Sequence, residues 1–338
     1  MPLRARPALF APLLTESPTA APTISTPASP GPSVLAKPKR RMGRREAEPI
    51  SLPAESATLL AQDGTPLRAV HDPAADGQRD LGVVIAHGFT GSWERPAVRR
   101  IVDGLAPHVG VVTVDLRGHG ESGGHSTLGD LEVLDVDAAI GWARLLGYRQ
   151  VVTVGFSLGA MVVLRHAGLS IDTPASPPSE GDATLCDRVW SDSPGDCSTL
   201  TFTPDAVVAV SSPGRWDFPH SRSVRIARFA IENPVARRFA RHALNTRVSH
   251  NGWAVLPSAP DVAAARTAGV PLLVVQGDND PYFTVDHGEG LFEAAADPKE
   301  LWIVPGFGHA ENAVGPDLLA RIADWIVATR APVASAAR

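Results

Sequence analysis

The serine at position 157 stands in the pentapeptide Gly-Phe-Ser-Leu-Gly, which has the G-x-S-x-G spacing of a reactive serine. A β-branched run at 151–154 precedes the motif, and a helix-compatible stretch at 160–166 follows it. A serine on such a strand-to-helix turn takes a strained left-handed conformation, and the flanking glycines remove side chains that would crowd it. The first amides of the helix would face the hydroxyl. The pattern predicts that Ser157 is a covalent nucleophile, although an ordinary glycine-rich turn has the same local sequence.

A serine nucleophile needs a base that accepts its proton and an acid that orients the base. Both residue types occur directly after apolar runs late in the chain, where His309 and Asp280 each follow a predicted strand. We therefore predict a catalytic triad of Ser157, His309 as the base and Asp280 as the acid. Asp278 lies two residues before Asp280, and it is either an alternative acid or a side chain that caps the turn.

The elements that must position these residues alternate between strands and helices. Short β-branched runs separated by helix-length segments indicate an α/β fold with a mostly parallel sheet covered by helices on both faces. Ligand sites in such sheets lie at the carboxyl ends of the strands, where the three predicted residues stand. The first two strands flank Asp63-Gly64, a hairpin signal. The predicted strands are 57–61, 66–70, 81–86, 109–114, 151–154, 206–210, 270–276 and 300–304, and the predicted core helices include 131–146 and 317–329.

Five short motifs occur in order along residues 56–330. They are His87-Gly88-Phe89, Asp115-Leu116-Arg117-Gly118-His119-Gly120-Glu121-Ser122, Gly155-Phe156-Ser157-Leu158-Gly159, Gly277-Asp278-Asn279-Asp280 and Gly308-His309. Each motif alone is weak, whereas the five together are specific. In their order of nucleophile, acid and histidine they resemble the α/β-hydrolase superfamily of serine hydrolases, which has esterase-like, lipase-like and serine aminopeptidase-like members.

The resemblance implies an α/β-hydrolase fold with a small helical cap. It also implies that the backbone N–H groups of Phe89 and Leu158 form the oxyanion hole. Because the family's acid usually ends a Gly-x-x-Asp pattern, the resemblance favours Asp280 over Asp278. The expected activity is carboxylesterase-like cleavage of an ester or related acyl bond through an acyl-enzyme. Acyltransferases, thioesterases and peptidases use the same triad, and a non-catalytic binding protein of this fold is a further alternative.

Two other patterns concern cofactors and metals. Gly118-x-Gly120-x-x-Gly123 matches a dinucleotide-binding fingerprint, but its glycines should open directly into a helix, and the next predicted helix begins several residues later. The Cys and His residues show no metal-ligand spacing. We therefore expect no cofactor and no metal, and a small acyl substrate as the partner. We interpret His87 as a brace of its own loop rather than as a base.

The composition of the 338-residue chain is typical of a globular protein, with 44% hydrophobic residues, 20% charged residues and a formal net charge of -5. Without a basic excess, we expect no nucleic-acid partner. The longest nearly apolar stretch, 151–164, is shorter than the roughly 20 residues that span a bilayer. The N-terminal apolar segment is a poor signal-peptide core, so we expect a cytoplasmic protein. Cys186 and Cys197 either pair or remain free thiols, and the oligomeric state stays open.

The chain is predicted to comprise a hydrolase core in two parts, a cap between them and a tail at each end. A cationic stretch marks the cap, because eight arginines lie between positions 215 and 247 against only two acidic residues. This stretch either faces solvent or attracts an anionic substrate or a membrane surface. The predicted segments are a disordered Pro- and Arg-rich tail at 1–50, a first core part at 51–212 with a polar insertion at 168–204, a cap at 213–265 with helices at 222–231 and 234–245, a second core part at 266–330 and a tail at 331–338.

Overall fold

The computed structural model describes residues 54–170, 200–216, 222–250 and 259–330. The chain divides into two units, Met1–Ala47 and Glu48–Arg338, and every described residue belongs to the second. The predicted tails at 1–50 and 331–338, both cysteines and most of the predicted polar insertion lie outside the described residues. The division of the chain into core, insertion and cap stays a prediction.

One eight-stranded sheet forms the centre of the described chain, in the order β1-β2-β4-β3-β5-β6-β7-β8. Strand β2 is antiparallel to both of its neighbours, whereas every pairing from β4 to β8 is parallel. The predicted hairpin and the mostly parallel sheet are therefore confirmed, and the structure places the hairpin at one edge of the sheet. The strands are β1 Glu55–Leu60, β2 Pro66–Asp72, β3 Leu81–Ala86, β4 Gly110–Val114, β5 Gln150–Phe156, β6 Ala206–Val210, β7 Leu272–Gly277 and β8 Lys299–Val304.

Helices cover both faces of this sheet. Their bounds are α1 Pro96–Leu105, α2 Glu132–Leu145, α3 Leu158–Ser170, α4 Arg222–Glu232, α5 Pro234–Ala243, α6 Pro260–Ala264, α7 Val285–Ala294, α8 Ala310–Ala313 and α9 Pro316–Ala328. The apolar sides of α1 and α9 pack in one buried cluster, and those of α2 and α3 pack in a second cluster across the sheet. Consecutive residues of β3 alternate between the two clusters, so the strand is apolar throughout its length.

The structure departs from the predicted helices in a few places. Helix α3 continues to Ser170, so residues 168–170 are helical instead of belonging to the polar insertion. The helix packs closely there, because a Cβ atom on Gly168 would lie 2.6 Å from the carbonyl oxygen of Ala263. Helix α5 ends two residues early, because Asn245 takes a left-handed conformation with φ of 51°. Sequence reasoning did not single out α7, whose two internal glycines weaken its helical signal.

Candidate active site

The turn between β5 and α3 holds Ser157 in a left-handed conformation with φ of 53°. The Ser157 amide donates to the carbonyl of Val210 on the neighbouring strand at 2.9 Å. A Cβ atom on Gly155 would lie 2.3 Å from the carbonyl oxygen of Gly159, and one on Gly159 would lie 2.1 Å from that of Ala86. Both glycines are therefore required, because any side chain at either position would collide with a neighbouring backbone carbonyl, as the pentapeptide predicted.

Replacing Gly159 with alanine should destabilise the fold, because the new methyl group collides with a backbone carbonyl of the central sheet. We expect the free energy of unfolding in urea to fall by about 1–3 kcal/mol, the usual cost of overpacking. Gly290 on α7 is the matched control, since the nearest atom to its Cβ position is 3.9 Å away. Gly290→Ala should leave stability equal or raise it by about 1 kcal/mol. Equal effects of the two changes would contradict this steric account.

The structure brings the three predicted triad residues into one hydrogen-bonded row. The Oγ atom of Ser157 lies 2.9 Å from Nε2 of His309, and Nδ1 of His309 lies 2.7 Å from Oδ2 of Asp280. The Asp280 side chain is fully buried, and its Oδ1 atom accepts the amides of Tyr282 and Phe283 at 2.8 and 3.1 Å. A carboxylate at Nδ1 favours the tautomer in which Nε2 is free to accept the serine proton.

The alternative acid, Asp278, has a different position. Its Oδ1 atom accepts the amide of Gly306 at 2.6 Å, so it ties the loop after β7 to the loop after β8. Asp280, by contrast, is the carboxylate that contacts His309. The geometry thus gives the two aspartates separate tasks, one at the histidine and one in the loop.

Residues that sequence reasoning missed hold His309 in place. The amide of Ala310 donates to Oγ of Ser211 at 3.0 Å, and both residues have positive φ angles, 51° and 52°. The ring of Tyr282 lies 4.4 Å from the imidazole centroid, and that of Phe283 lies 5.5 Å away. The sequence could have indicated Ser211, because this residue follows β6 at the same carboxyl edge of the sheet as the triad. The aromatic contacts depend on tertiary packing, so no pattern in the sequence could have indicated them.

The two predicted oxyanion-hole residues both line the cavity that contains Ser157 and His309. Leu158 is the first residue of α3, so its amide has no acceptor within the helix. Within the described ranges, neither its amide nor that of Phe89 donates to another protein group. Two unpaired donors beside a serine hydroxyl are suited to bind a negatively charged oxygen.

Two buried histidines brace the loop that carries Phe89. Nδ1 of His87 lies 2.8 Å from the carbonyl oxygen of Gly88, and its Nε2 accepts the amide of Leu116 at 3.1 Å. Burial lowers the pKa of His87 to about 4, and burial together with His87 lowers the pKa of His119 to about 3. Both rings are therefore neutral near pH 7, which agrees with the interpretation of His87 as a brace.

The motif after β4 also serves the scaffold. Nη2 of Arg117 lies 2.7 Å from Oδ1 of Asp135 on α2, and its Nη1 lies 2.6 Å from Oδ2 of Asp63 in the edge hairpin. His119 forms an isolated β-bridge with Thr246, which joins this loop to the segment predicted as the cap. No helix begins at the glycines of 118–123 in this described segment, so the arrangement is not that of a dinucleotide-binding turn.

A cavity of about 610 Å³ opens at Ser157, and its walls are mainly apolar. The core supplies Leu128 and Met161, and the predicted cap supplies Trp216, Ile231 and Leu244. This volume lies in the range of small-molecule sites. The cavity can hold an apolar substituent next to the hydrogen-bonded row.

Glu311 is a further residue at this cavity that sequence reasoning missed. Its side chain is buried, and its Oε1 atom accepts the amide of Gly88 at 3.2 Å. Burial raises the pKa of the Glu311 carboxyl, which favours its neutral form. The contact with the Gly88 amide fixes the loop before Phe89. Its signal in the sequence was its place two residues after His309.

The sheet order, the turn after β5 and the loops after β7 and β8 define the α/β-hydrolase fold. A model of the alpha/beta hydrolase family matches residues 83–322, and the chain belongs to that family. A comparison with curated proteins found no match.

Solved structures with this fold include three with low sequence identity. Esterase Pf2001 from Pyrococcus furiosus has a TM-score of 0.59 at 19% identity, covering 87% of this chain and 100% of its own. The α/β hydrolase GrgF from Penicillium sp. sh18 has a TM-score of 0.58 at 18% identity, with coverages of 82% and 99%. Est1E from Butyrivibrio proteoclasticus has a TM-score of 0.54 at 15% identity, with coverages of 81% and 99%. At these identities the likeness concerns the fold.

The described residues also bear on metals and membranes. Across 54–170, 200–216, 222–250 and 259–330, no cluster of three or more His, Cys, Asp or Glu residues could hold a metal ion. In the same ranges, no helix combines the length and the apolarity needed to cross a membrane.

Proposed function

We propose that this protein is a serine hydrolase that cleaves an ester or a related acyl bond. The observation that carries the proposal is the row Ser157–His309–Asp280, with distances of 2.9 and 2.7 Å, beside two unpaired amides. A structural role alone requires neither a strained serine nor a buried carboxylate aligned through an imidazole. A non-catalytic binding protein would not require this alignment of Ser157, His309 and Asp280.

The mechanism follows from the geometry. Nε2 of His309 takes the hydroxyl proton while Oγ of Ser157 bonds to the acyl carbon, and the carbonyl electrons move to its oxygen. The amides of Phe89 and Leu158 stabilise that oxyanion. The imidazolium, oriented by Asp280, then protonates the departing alcohol, which leaves an acyl-enzyme. Water attacks this ester by the same route, and the acid product leaves with Ser157 restored.

A fluorophosphonate probe tests whether Ser157 is the nucleophile. We expect native protein to be labelled at Ser157 and Ser157→Ala to remain unlabelled, because the probe reacts only with an activated serine. Peptide mapping of the adduct checks the position. Absence of labelling in the native protein, or equal labelling of the variant, would refute the proposal.

A substrate panel then separates the reactions that share this triad. p-Nitrophenyl esters of increasing chain length, acyl thioesters and aminoacyl amides should be assayed on one preparation. We expect ester cleavage to dominate and to rise with acyl length, because the 610 Å³ cavity is mainly apolar. Cleavage confined to thioesters or aminoacyl amides would replace the esterase assignment with the corresponding class.

A further inference from the structure

A second concavity, of about 300 Å³, lies between helix α5 and the segment that follows it. Three arginines of α5, Arg237, Arg238 and Arg241, line it together with Arg247. Within the described part of the chain, no acidic side chain contributes to its walls. We call this concavity the arginine pocket.

Two of the four guanidinium groups of the arginine pocket, those of Arg237 and Arg247, are held by backbone carbonyls rather than by carboxylates. Nη1 of Arg237 donates to the carbonyl oxygens of Ser249 and His250 at 2.9 and 3.1 Å. Nη2 of Arg247 donates to the carbonyl of Ser122, while its buried Nε has no acceptor within the described residues. Such bonds fix the positions of these groups but leave their positive charge uncompensated.

An arginine outside the pocket, Arg228, is paired with a carboxylate, in contrast to the four pocket arginines as the described part of the chain shows them. On α4, Nε of Arg228 lies 2.7 Å from Oε1 of Glu232, so this exposed arginine has a carboxylate partner one helical turn away. In the described ranges, the four pocket arginines form no ion pair with Asp or Glu. Four guanidinium groups that line one concavity with no carboxylate partner among the described residues repel one another, and an anion bound among them would offset that repulsion.

Three histidines complete the same wall. His125 and His250 have ring centroids 6.4 Å apart, and His242 lies in the last turn of α5. Partial burial and the charge of Arg247 lower the pKa of His125. This shift favours the neutral form of His125, whose imidazole can accept or donate a hydrogen bond without adding to the repulsion.

We propose that the arginine pocket binds a phosphate group. Guanidinium groups present planar pairs of N–H donors that match phosphate oxygens. A phosphate monoester carries about 1.5–2 negative charges at pH 7, whereas the described residues of this wall include no carboxylate. The proposal does not depend on catalysis at Ser157. It assigns an additional ligand to the cationic segment recognised in the sequence.

The pocket adjoins the wall of the active-site cavity. Val248 lines the arginine pocket and packs in a small apolar cluster with Leu128 and Ile231, both of which line the cavity at Ser157. A phosphate bound here is therefore separated from the acyl site by one layer of side chains. The two sites are distinct and share a wall of apolar side chains.

The phosphate can belong to a soluble ligand or to a lipid headgroup. Helices α4 and α5 also expose apolar side chains, with Phe229, Val235 and Phe239 being 62%, 77% and 67% accessible. Apolar side chains next to arginines are typical of surfaces that bind anionic lipids. Soluble and lipid phosphates must therefore be tested separately.

The test uses the full chain, with calorimetric titration of pyrophosphate and inorganic phosphate as the soluble arm. The lipid arm is sedimentation with phosphatidylcholine vesicles, with and without phosphatidic acid. Arg238→Gln/Arg241→Gln removes two exposed pocket charges and spares the arginines that bind backbone carbonyls. The control, Arg225→Gln/Arg266→Gln, removes two exposed charges outside the pocket. Arg241→Gln alone serves as a second, milder variant.

We expect the pocket variant to weaken phosphate binding by about 10- to 100-fold, as for one or two lost charge-assisted hydrogen bonds. The control pair should change it less than about twofold, as expected for screened surface charges. Binding in the soluble arm identifies a free phosphate ligand, and binding only to phosphatidic acid vesicles identifies a headgroup. Either result supports the arginine pocket as the site when the pocket variant weakens that binding by about 10- to 100-fold and the control pair does not. Absence of binding in both arms, or equal losses in both variant pairs, would overturn the proposal.

Discussion

Replacing Ser157 with alanine is expected to lower kcat for an ester substrate by about 10⁴- to 10⁶-fold. The change removes the atom that bonds to the acyl carbon, while the apolar cavity that binds the substrate remains. The same loss is expected for His309→Ala, because without an imidazole 2.9 Å away the hydroxyl keeps its proton. Steady-state hydrolysis of a p-nitrophenyl ester measures both effects.

The double variant makes this expectation sharper. Ser157→Ala/His309→Ala should have a kcat close to that of either single variant. Ser157 and His309 act as one unit, so removing either residue already removes the rate contribution of both. Ser170→Ala is the matched control, since its hydroxyl donates to the carbonyl of Ala167 at the far end of the same helix. The control should retain kcat within about twofold, as for most changes away from the chemistry. Near-native rates in either purified single variant would refute the triad.

The parts of the structure that could be predicted are those with a local signal. The strands β3 and β6 were predicted to the residue, because each is a short apolar run buried on both faces. The convergence of Ser157, Asp280 and His309 was predictable because parallel strands bring their carboxyl ends to one edge. Such inferences need only the order of elements along the chain and the type of residue that follows each strand.

The parts that could not be predicted depend on contacts between distant segments. The carboxyl of Glu311 reaches the amide of Gly88, 223 positions earlier, and no periodicity indicates such a contact. The arginine pocket is a second case. The sequence shows the charges, but only the return of the chain after α5 brings Arg247 beside Arg237, and either segment alone would resemble a solvated face.

The role of the histidine tautomer can be tested by the substitution Asp280→Asn. The amide oxygen can still accept the backbone N–H groups of Tyr282 and Phe283, so the loop should keep its shape. The amide nitrogen would instead donate to Nδ1 of His309, which places the imidazole proton on Nε2. A protonated Nε2 cannot take the proton of Ser157, so we expect kcat to fall by about 10⁴-fold.

Asp278→Asn is the matched control, because it makes the same chemical change two residues away. Its amide oxygen can still accept the Gly306 amide, which is the contact that the carboxylate makes at 2.6 Å. We expect kcat to change by less than about threefold, since only one charge-assisted bond in a loop is weakened. Equal rates for Asp280→Asn and the native enzyme, with a collapse in Asp278→Asn, would reverse the assignment of the acid. Because the two substitutions are chemically identical, a difference in kcat between them can arise only from the positions of the two aspartates. Asp280 is the one that contacts His309, at 2.7 Å.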